Sequence, residues 1–408
     1  MSQRKSSKTR DNSKRLRVAV VAPPWLAMPV EGYGGIELVV QSLVLGLKAQ
    51  GMDVELFANG ARTIPGITTR SLYKTEQFNH IYEPYFESYP IVQAHLMHAY
   101  NTIKKDGSFD IIHAHVPHVG PAFWAMATRD PDIPPVLATF HGPPFSTESA
   151  DIGASYNTDD LNQIKDFNRF YAACISDAMT ATAPKSVQSR LLPAVHNAIN
   201  PDDFPFVATK KKYFVTMARF SPYKGQHIAI KGALKHKAQL RMAGPVADIT
   251  SGQRLLFELA NPISSYRGND QFRYYSDKIY PHVLRNRGIT YSGNLTGKRK
   301  MSFLSNARAL LFPIGWDEPF GMAVIEALAC GTPVVAMNRG AMPEIITHGV
   351  NGFLANTEEE FIEYMGRVDE IDPYVCRQSV IERFSVDAMA ASYIDRYHGV
   401  IERTKKQR

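Results

Sequence analysis

Two α/β domains, each a doubly wound parallel sheet with Rossmann-like strand order, facing a central cleft are the architecture that this 408-residue sequence predicts. Three features predict it. Short apolar, β-branched runs alternate with helical apolar spacing in two successive series. Each series opens with a strand, a glycine-containing turn and a helix, the start of a βαβ unit. A Pro-, Asp- and Asn-rich stretch without apolar periodicity separates the series, and the chain is longer than one ordinary core organises.

The first series opens at RVAVVAPP (17–24). A loop with Gly32, Gly34 and Gly35 follows, then Ile36, Val39, Val40, Leu43 and Leu47 at helical spacing up to Gln50, with Gly51 closing the helix. MDVELFA (52–58), FDIIHA (109–114) and PVLATF (135–140) read as buried strands, with shorter ones near 172–176 and 194–196. HNAINPDDFPFVATKK (196–211) is the joint. The second series runs through YFVTMA (213–218), QLRMAG, GITYSG, ALLFP, PVVAM and GFLA, and a last helix follows Phe384. The division is therefore a basic tail at 1–16, a first domain at 17–197, a linker at 198–211 and a second domain at 212–383. Residues 384–408 form a helix that packs back toward the first domain and ends in a second basic tail.

The net charge of +7 raises the question of a nucleic-acid partner. The first 17 residues carry +6 and the last eight carry +3, which leaves the body between them at −2. A folded nucleic-acid binder shows its basic stripe on the fold itself, so that class is set aside. The N-terminal tail lacks an apolar core segment and reads as disordered, with weak electrostatic contact to anionic lipid at the inner membrane face as its functional alternative. Cys174, Cys330 and Cys376 are odd in number and widely spaced, which suggests neither a disulfide framework nor a zinc site and fits a reducing, cytoplasmic setting. No apolar run approaches the roughly 20 residues that span a bilayer.

The most informative stretch is WDEPFGMAVIEALACGTPVV, 316–335. Its turn delivers backbone N–H groups to the start of a helix near Gly321, a site for phosphate or for the polar edge of a sugar. Glu318 lies before that helix and Glu326 about five residues inside it, roughly 8 Å apart along the axis at about 1.5 Å per residue. That separation suits two parts of one extended ligand and is too wide for the roughly 5 Å carboxylate pair of a retaining glycosidase. Glu326 stands in an almost wholly apolar helix and needs a partner, either a salt bridge or the two hydroxyls of a ribose. Arg219 and Lys224 stand five apart in ARFSPYKGQ, directly after a strand, where two cations can flank a diphosphate. The paired acids Asp159-Asp160 and Asp202-Asp203 read as solvated or capping loop residues, and no metal-ligand spacing is found.

Gly34-Gly35, FDIIHAH, TFHG, ARFSPYKG and the E-x7-E pair Glu318 and Glu326, with CGTPVVA downstream, together resemble the retaining glycosyltransferases of family 4, of GT-B architecture. The resemblance runs from about Arg17 to about Arg403. It implies transfer of a sugar from a nucleotide diphosphate sugar, UDP favoured, to an acceptor hydroxyl, with retention, front-face attack and neither metal nor cofactor. Arg219 and Lys224 would hold the diphosphate as leaving group, and Glu326 the ribose. Glu318 would hold the transferred sugar together with Pro319, Phe320, Gly321 and Met322, the last three through backbone groups. His141 in TFHG would face the sugar from the first domain. Gly34 and Gly35 would let the first loop approach the diphosphate or the acceptor, and His113 and His115 are weaker candidates for the same cleft, since histidines at strand ends are more often structural. The segment 144–166 is expected to help form an acceptor pocket for a small molecule or glycan. The sequence departs from the family at 196–200, HNAIN, where an Asn-Gly turn is usual: alanine disfavours a left-handed turn. A phosphorylase or sugar-nucleotide epimerase fits the residues poorly, and a regulatory binder without turnover is the rival from another class.

Overall fold

The computed structural model describes residues 15–30, 34–142 and 159–406. The first sheet holds β1 (Arg17–Val21), β2 (Asp53–Phe57), β3 (Thr68–Arg70), β4 (Ile111–Ala114), β5 (Val136–Phe140), β6 (Phe170–Cys174) and β7 (Leu191–Leu192). The second holds β8 (Tyr213–Met217), β9 (Gln239–Ala243), β10 (Ile289–Tyr291), β11 (Ala309–Phe312), β12 (Val334–Met337) and β13 (Gly352–Ala355). Their orders are β3-β2-β1-β4-β5-β6-β7 and β10-β9-β8-β11-β12-β13, with every pairing parallel. Counted from its own first strand, each sheet begins 3-2-1-4-5-6, the doubly wound order. The two strands that flank the reversal are β1 and β4 in the first sheet and β8 and β11 in the second. The central strands are buried almost throughout, as continuous apolar runs require when helices cover both faces.

Local readings differ from the structure in two places. The strand expected near 194–196 lies at Leu191–Leu192, because Pro193 has no N–H to continue a ladder; Val195 then rejoins by donating to the Cys174 carbonyl. Asp159 and Asp160 open a short helix, Asp159–Gln163, where a loop was expected. Ala198 stands where the usual turn would be left-handed, yet the positive-φ non-glycine residues here are His118, Lys237 and Ala247. The chain crosses this point extended, with the Ile199 N–H bonded to the Phe384 carbonyl. Most of the segment 144–166, with Gly32 and the N-terminal tail to residue 14, lies outside the described residues.

Beyond the joint the chain is fastened to the second sheet's helices. Lys210 Nζ donates to the carbonyls of Ser305 and Cys330 and to Thr332 Oγ1, and burial pulls its ammonium down to about 8. The last helix, Val386–Lys406, returns to the first sheet. It packs on the helix Gly35–Ala49 at Gly46, where a Cβ would come within 2.7 Å of Val386 Cγ1. Tyr397 and Tyr393 of that helix reach His113 and Thr139 on β4 and β5.

One carboxylate also links the two halves. Glu344, in the helix Met342–Ile345, accepts from the N–H groups of Asp177 and Ala178 and meets His196 Nε2 at 2.8 Å. Burial opposes its charge, but these donors outweigh burial and hold the carboxyl below its ordinary value. A depressed carboxylate contributes stability above its unfolded pKa of about 4.3, and that stability is lost as pH falls through the folded value. Glu344→Ala is therefore expected to cost about 1 kcal/mol at neutral pH, the net worth of hydrogen bonds whose part-exposed donors water can re-satisfy, and to remove part of the acid dependence. Urea unfolding at pH 7 and near pH 4 checks this; equal loss at both pH values would contradict it.

Candidate active site

The loops that follow β8 and β11 carry the charged motifs, and the strand reversal places them side by side. After β8 the chain runs through Arg219 and a short turn, Pro222–Lys224, into the helix Gln226–Lys235. After β11 it runs through Trp316 to Glu318 and into the helix Met322–Ala329. The Gly315 N–H donates to the Tyr223 carbonyl at 2.7 Å and joins the two loops. Gly225 is required at the crossing, because φ is +67° and a Cβ would sit 1.8 Å from the Pro313 oxygen.

This crossing sets Lys224 Nζ 2.5 Å from Glu318 Oε2, a pair separated by 94 positions in sequence. The ammonium also lies over the rings of Trp316, at 4.9 Å, and Phe312, at 5.7 Å. Arg219 is exposed, and no hydrogen bond or ion pair of its guanidinium is found among the described residues. One cation is thus neutralised by a carboxylate and the other is open to solvent.

Glu318 is fixed from behind. The Ala341 N–H donates to its carbonyl at 2.9 Å, and Gly340, at φ +54°, would bring a Cβ within 2.4 Å of the Glu318 nitrogen. Arg339 binds the Gly315 carbonyl at 2.8 Å and Asp317 at 3.2 Å. Gly340→Ala is expected to displace Glu318 and lower turnover about 100-fold or more, since an error near 1 Å in a reacting array has that effect. Steady-state kinetics beside a thermal melt checks this; full activity in a folded variant would contradict it.

Gly321 caps the helix Met322–Ala329, and its first intrahelical bond is donated by Val324 to the Gly321 carbonyl. The N–H groups before Val324 therefore stand at the positive end of the helix. The Phe320 side chain is buried against His196 and Phe384, so only its backbone is available to a ligand. Glu326, 8% exposed, has the partner its position demanded: Lys300 Nζ lies 2.6 Å from Oε1. Burial nonetheless leaves the carboxyl above its ordinary value, with Lys300 acting in the opposite sense. No protein bond to Oε2 is found among the described residues, and Oε2 is not sealed from solvent.

His141 belongs to the other half and makes no hydrogen bond to the second-sheet groups among the described residues. It follows β5 and its Nε2 lies 2.9 Å from His115 Nδ1. Burial pulls His141 down to about 4, so it is neutral at pH 7. Among the described residues His115 Nε2 is buried without a partner. A proton on His115 Nδ1 would let it donate to His141 and would leave the His141 proton on Nδ1. His113 is structural: it bonds Tyr397 and Thr139, and Tyr393 closes that network. Gly34 packs its α-carbon against Val30 and Leu26, at 2.9 and 3.0 Å from an added Cβ, whereas nothing lies near the same position of Gly35.

Sequence reasoning missed Lys300 and Glu344, and also Glu37, buried in the first turn after Gly35 with its carboxyl pushed up by burial. The one available signal was a charge inside an otherwise apolar run, as at Glu37. Among the described residues no cluster of three or more His, Cys, Asp or Glu with metal-holding geometry is found, and no helix is long and apolar enough to cross a membrane.

In the second sheet the strand reversal gathers cations and carboxylates where α/β sheets bind ligands. Residues 201–372 match the family described as glycosyl transferases group 1, and residues 33–202 match Glycosyltransferase Family 4. The chain belongs to this family of glycosyltransferases and is a transferase enzyme. It is 23% identical over 352 residues to an uncharacterised glycosyltransferase of Methanocaldococcus jannaschii, covering 78% of this chain and 80% of that one. It is 25% identical over 359 residues to a phosphatidyl-myo-inositol mannosyltransferase of Propionibacterium freudenreichii, covering 81% and 80%. Among solved structures, sucrose-phosphate synthase from Thermosynechococcus elongatus has a TM-score of 0.68 at 18% identity, over 95% of this chain and 100% of that one. Anabaena HepE in complex with UDP and glucose has a TM-score of 0.63 at 17% identity, over 94% and 100%. These likenesses establish the GT-B fold.

Proposed function

We propose that the protein transfers a sugar, with retention of anomeric configuration, from a nucleotide diphosphate sugar to an acceptor hydroxyl, with UDP as the favoured nucleotide and no metal required. The observation that carries this reading is the contact between Lys224 and Glu318, which brings a strand-loop cation to the residue that precedes the helix N-terminus. A diphosphate beside Arg219 and Lys224 would have its developing negative charge stabilised as the sugar leaves, by the Lys224 ammonium already held there and by the solvent-exposed Arg219 guanidinium. Lys224 would exchange Glu318 for phosphate, freeing the carboxylate to accept hydroxyls of the transferred sugar. The N–H groups at Gly321 and Met322 would meet the same sugar or the phosphate, with Pro319 and Phe320 shaping the turn. Glu326 Oε2 would accept the ribose hydroxyls while Oε1 stays with Lys300. His141, neutral, would offer its Nδ1 proton to the sugar from the first sheet. Gly34 and Gly35 would border the diphosphate. Support for a nucleotide-sugar donor also comes from Anabaena HepE, solved with UDP-glucose.

The test is acceptor-free release of nucleotide diphosphate from a panel of UDP-, GDP- and ADP-sugars, with and without EDTA. Release from a UDP-sugar that survives EDTA and is lost in Glu326→Ala is the expected result. No release from any donor, with a thermal shift by a nucleotide retained, would favour the regulatory binder; no release and no shift would contradict both readings.

A further inference from the structure

A large hollow lies apart from the charged motifs. A cavity of about 1210 Å³ opens in the first half, bordered by His141 and Gly142 after β5. Its wall is apolar, made chiefly by Met97, Tyr100, Val119, Phe123, Met126 and Phe140. Met97 and Met126 are 56% and 63% exposed, flexible thioether side chains of the kind that adapt to varied apolar ligands. The volume exceeds the roughly 300–1,000 Å³ of most small-molecule sites.

The charge of the wall narrows the ligand further. Among the described residues no lysine or arginine lines the cavity. Its one carboxylate, Asp130, is engaged by Tyr100 and by Lys104, which hold it down to about 2. A phosphate placed here would meet the Asp130 carboxylate, and the one ammonium beside it, Lys104, is already engaged by that carboxylate. Asn101, exposed at the wall, remains available as a neutral donor and acceptor.

Resting on the transferase reading above, we propose that this cavity holds the acceptor and that the acceptor is an uncharged amphipathic alcohol. Its apolar body lies against Met97, Phe123 and Met126, and its hydroxyl lies at the His141 end. The bond from the anomeric carbon to the diphosphate oxygen breaks, the bond to the acceptor oxygen forms, and the hydroxyl proton passes to the departing diphosphate. A free sugar or an ionic lipid headgroup fits this wall poorly.

The experiment uses the full chain in two arms. Binding of the neutral dye Nile red reports the cavity, and transfer from the hydrolysed donor to 2-naphthol and decanol, to their phosphate esters and to glucose reports the acceptor. The expected result is saturable dye binding, products from both neutral alcohols, and phosphate esters and glucose at least about tenfold poorer in kcat/KM. Met97→Asp and Met126→Asp, both at exposed positions, are expected to raise the acceptor KM at least about tenfold, while Leu284→Asp on the other half leaves it unchanged. Preference for phosphate esters or glucose, or an unaltered KM in both aspartate variants, overturns the proposal. So does a wild-type chain that binds no dye. Saturable dye binding without hydrolysis of any donor strikes the transferase reading itself, and the acceptor assignment falls with it.

Discussion

Lys224→Met is expected to lower kcat/KM for the nucleotide sugar by about 10²–10³-fold, the range seen when one preorganised donor is removed from a developing anion. The loss should fall mainly on kcat. In the resting site Lys224 is held by Glu318 and by the faces of Trp316 and Phe312, so its ammonium is oriented and partly dehydrated before any substrate arrives. Such a charge gains most where the leaving diphosphate becomes more negative, which is in the transition state. Methionine keeps the stem and its packing on the rings but removes the charge. Lys224→Arg is expected to recover only part of the rate, because a planar fork does not sit where a point charge does. Steady-state kinetics with the preferred donor decides this: a rise in KM with unchanged kcat would mean that Lys224 only binds substrate.

The sequence was legible where one short stretch carries both structure and chemistry. The central strands are continuous apolar runs bounded by turns, so the strands flanking each reversal, with the loops that leave them, could be placed before any coordinates. Arg219, Lys224, Glu318 and Glu326 lie in two such stretches, and the reversal of strand order explains why Lys224 and Glu318 meet. Edge structure was less legible: β7 has two residues, ended by Pro193. Residues that act across the fold carried no local mark. Lys300 sits in a basic run, Lys298 to Lys300, in which nothing shows that one member turns to a buried carboxylate. Glu344 finds its partners near residues 177 and 196, more than 140 positions away. The apolar cavity was hidden for the same reason, since Ile36, Met97, Phe123, Phe140 and Leu161 come from five separate segments.

Lys300 yields the second large effect, one that pH separates from simple damage. Glu326 is buried in an apolar helix, and burial raises its carboxyl while Lys300 pulls the other way. The ribose role given to Glu326 needs the ionised form, which offers acceptors only. In Lys300→Met the opposing cation is gone, so the carboxyl rises further and the neutral acid appears at higher pH than in the wild type. Binding is lost from the acid side upward: the donor KM of the variant should climb as pH falls, whereas the wild type should begin to climb only at lower pH. At the acid end of the range the difference is expected to reach about tenfold or more, as loss of hydrogen bonds to a charged group worth about 1.5–3 kcal/mol implies. Other charges near this helix are unchanged by the substitution, since Lys210 from the linker and Arg377 from the helix Pro373–Arg383 lie by Cys330 and make their own carbonyl bonds. Lys300→Arg keeps the cation and should restore the wild-type pH profile. A loss in Lys300→Met that is equal at every pH would mean that Lys300 only packs the helix Gly297–Ser305 against its neighbour, and the ionised Glu326 would have to be held by other means.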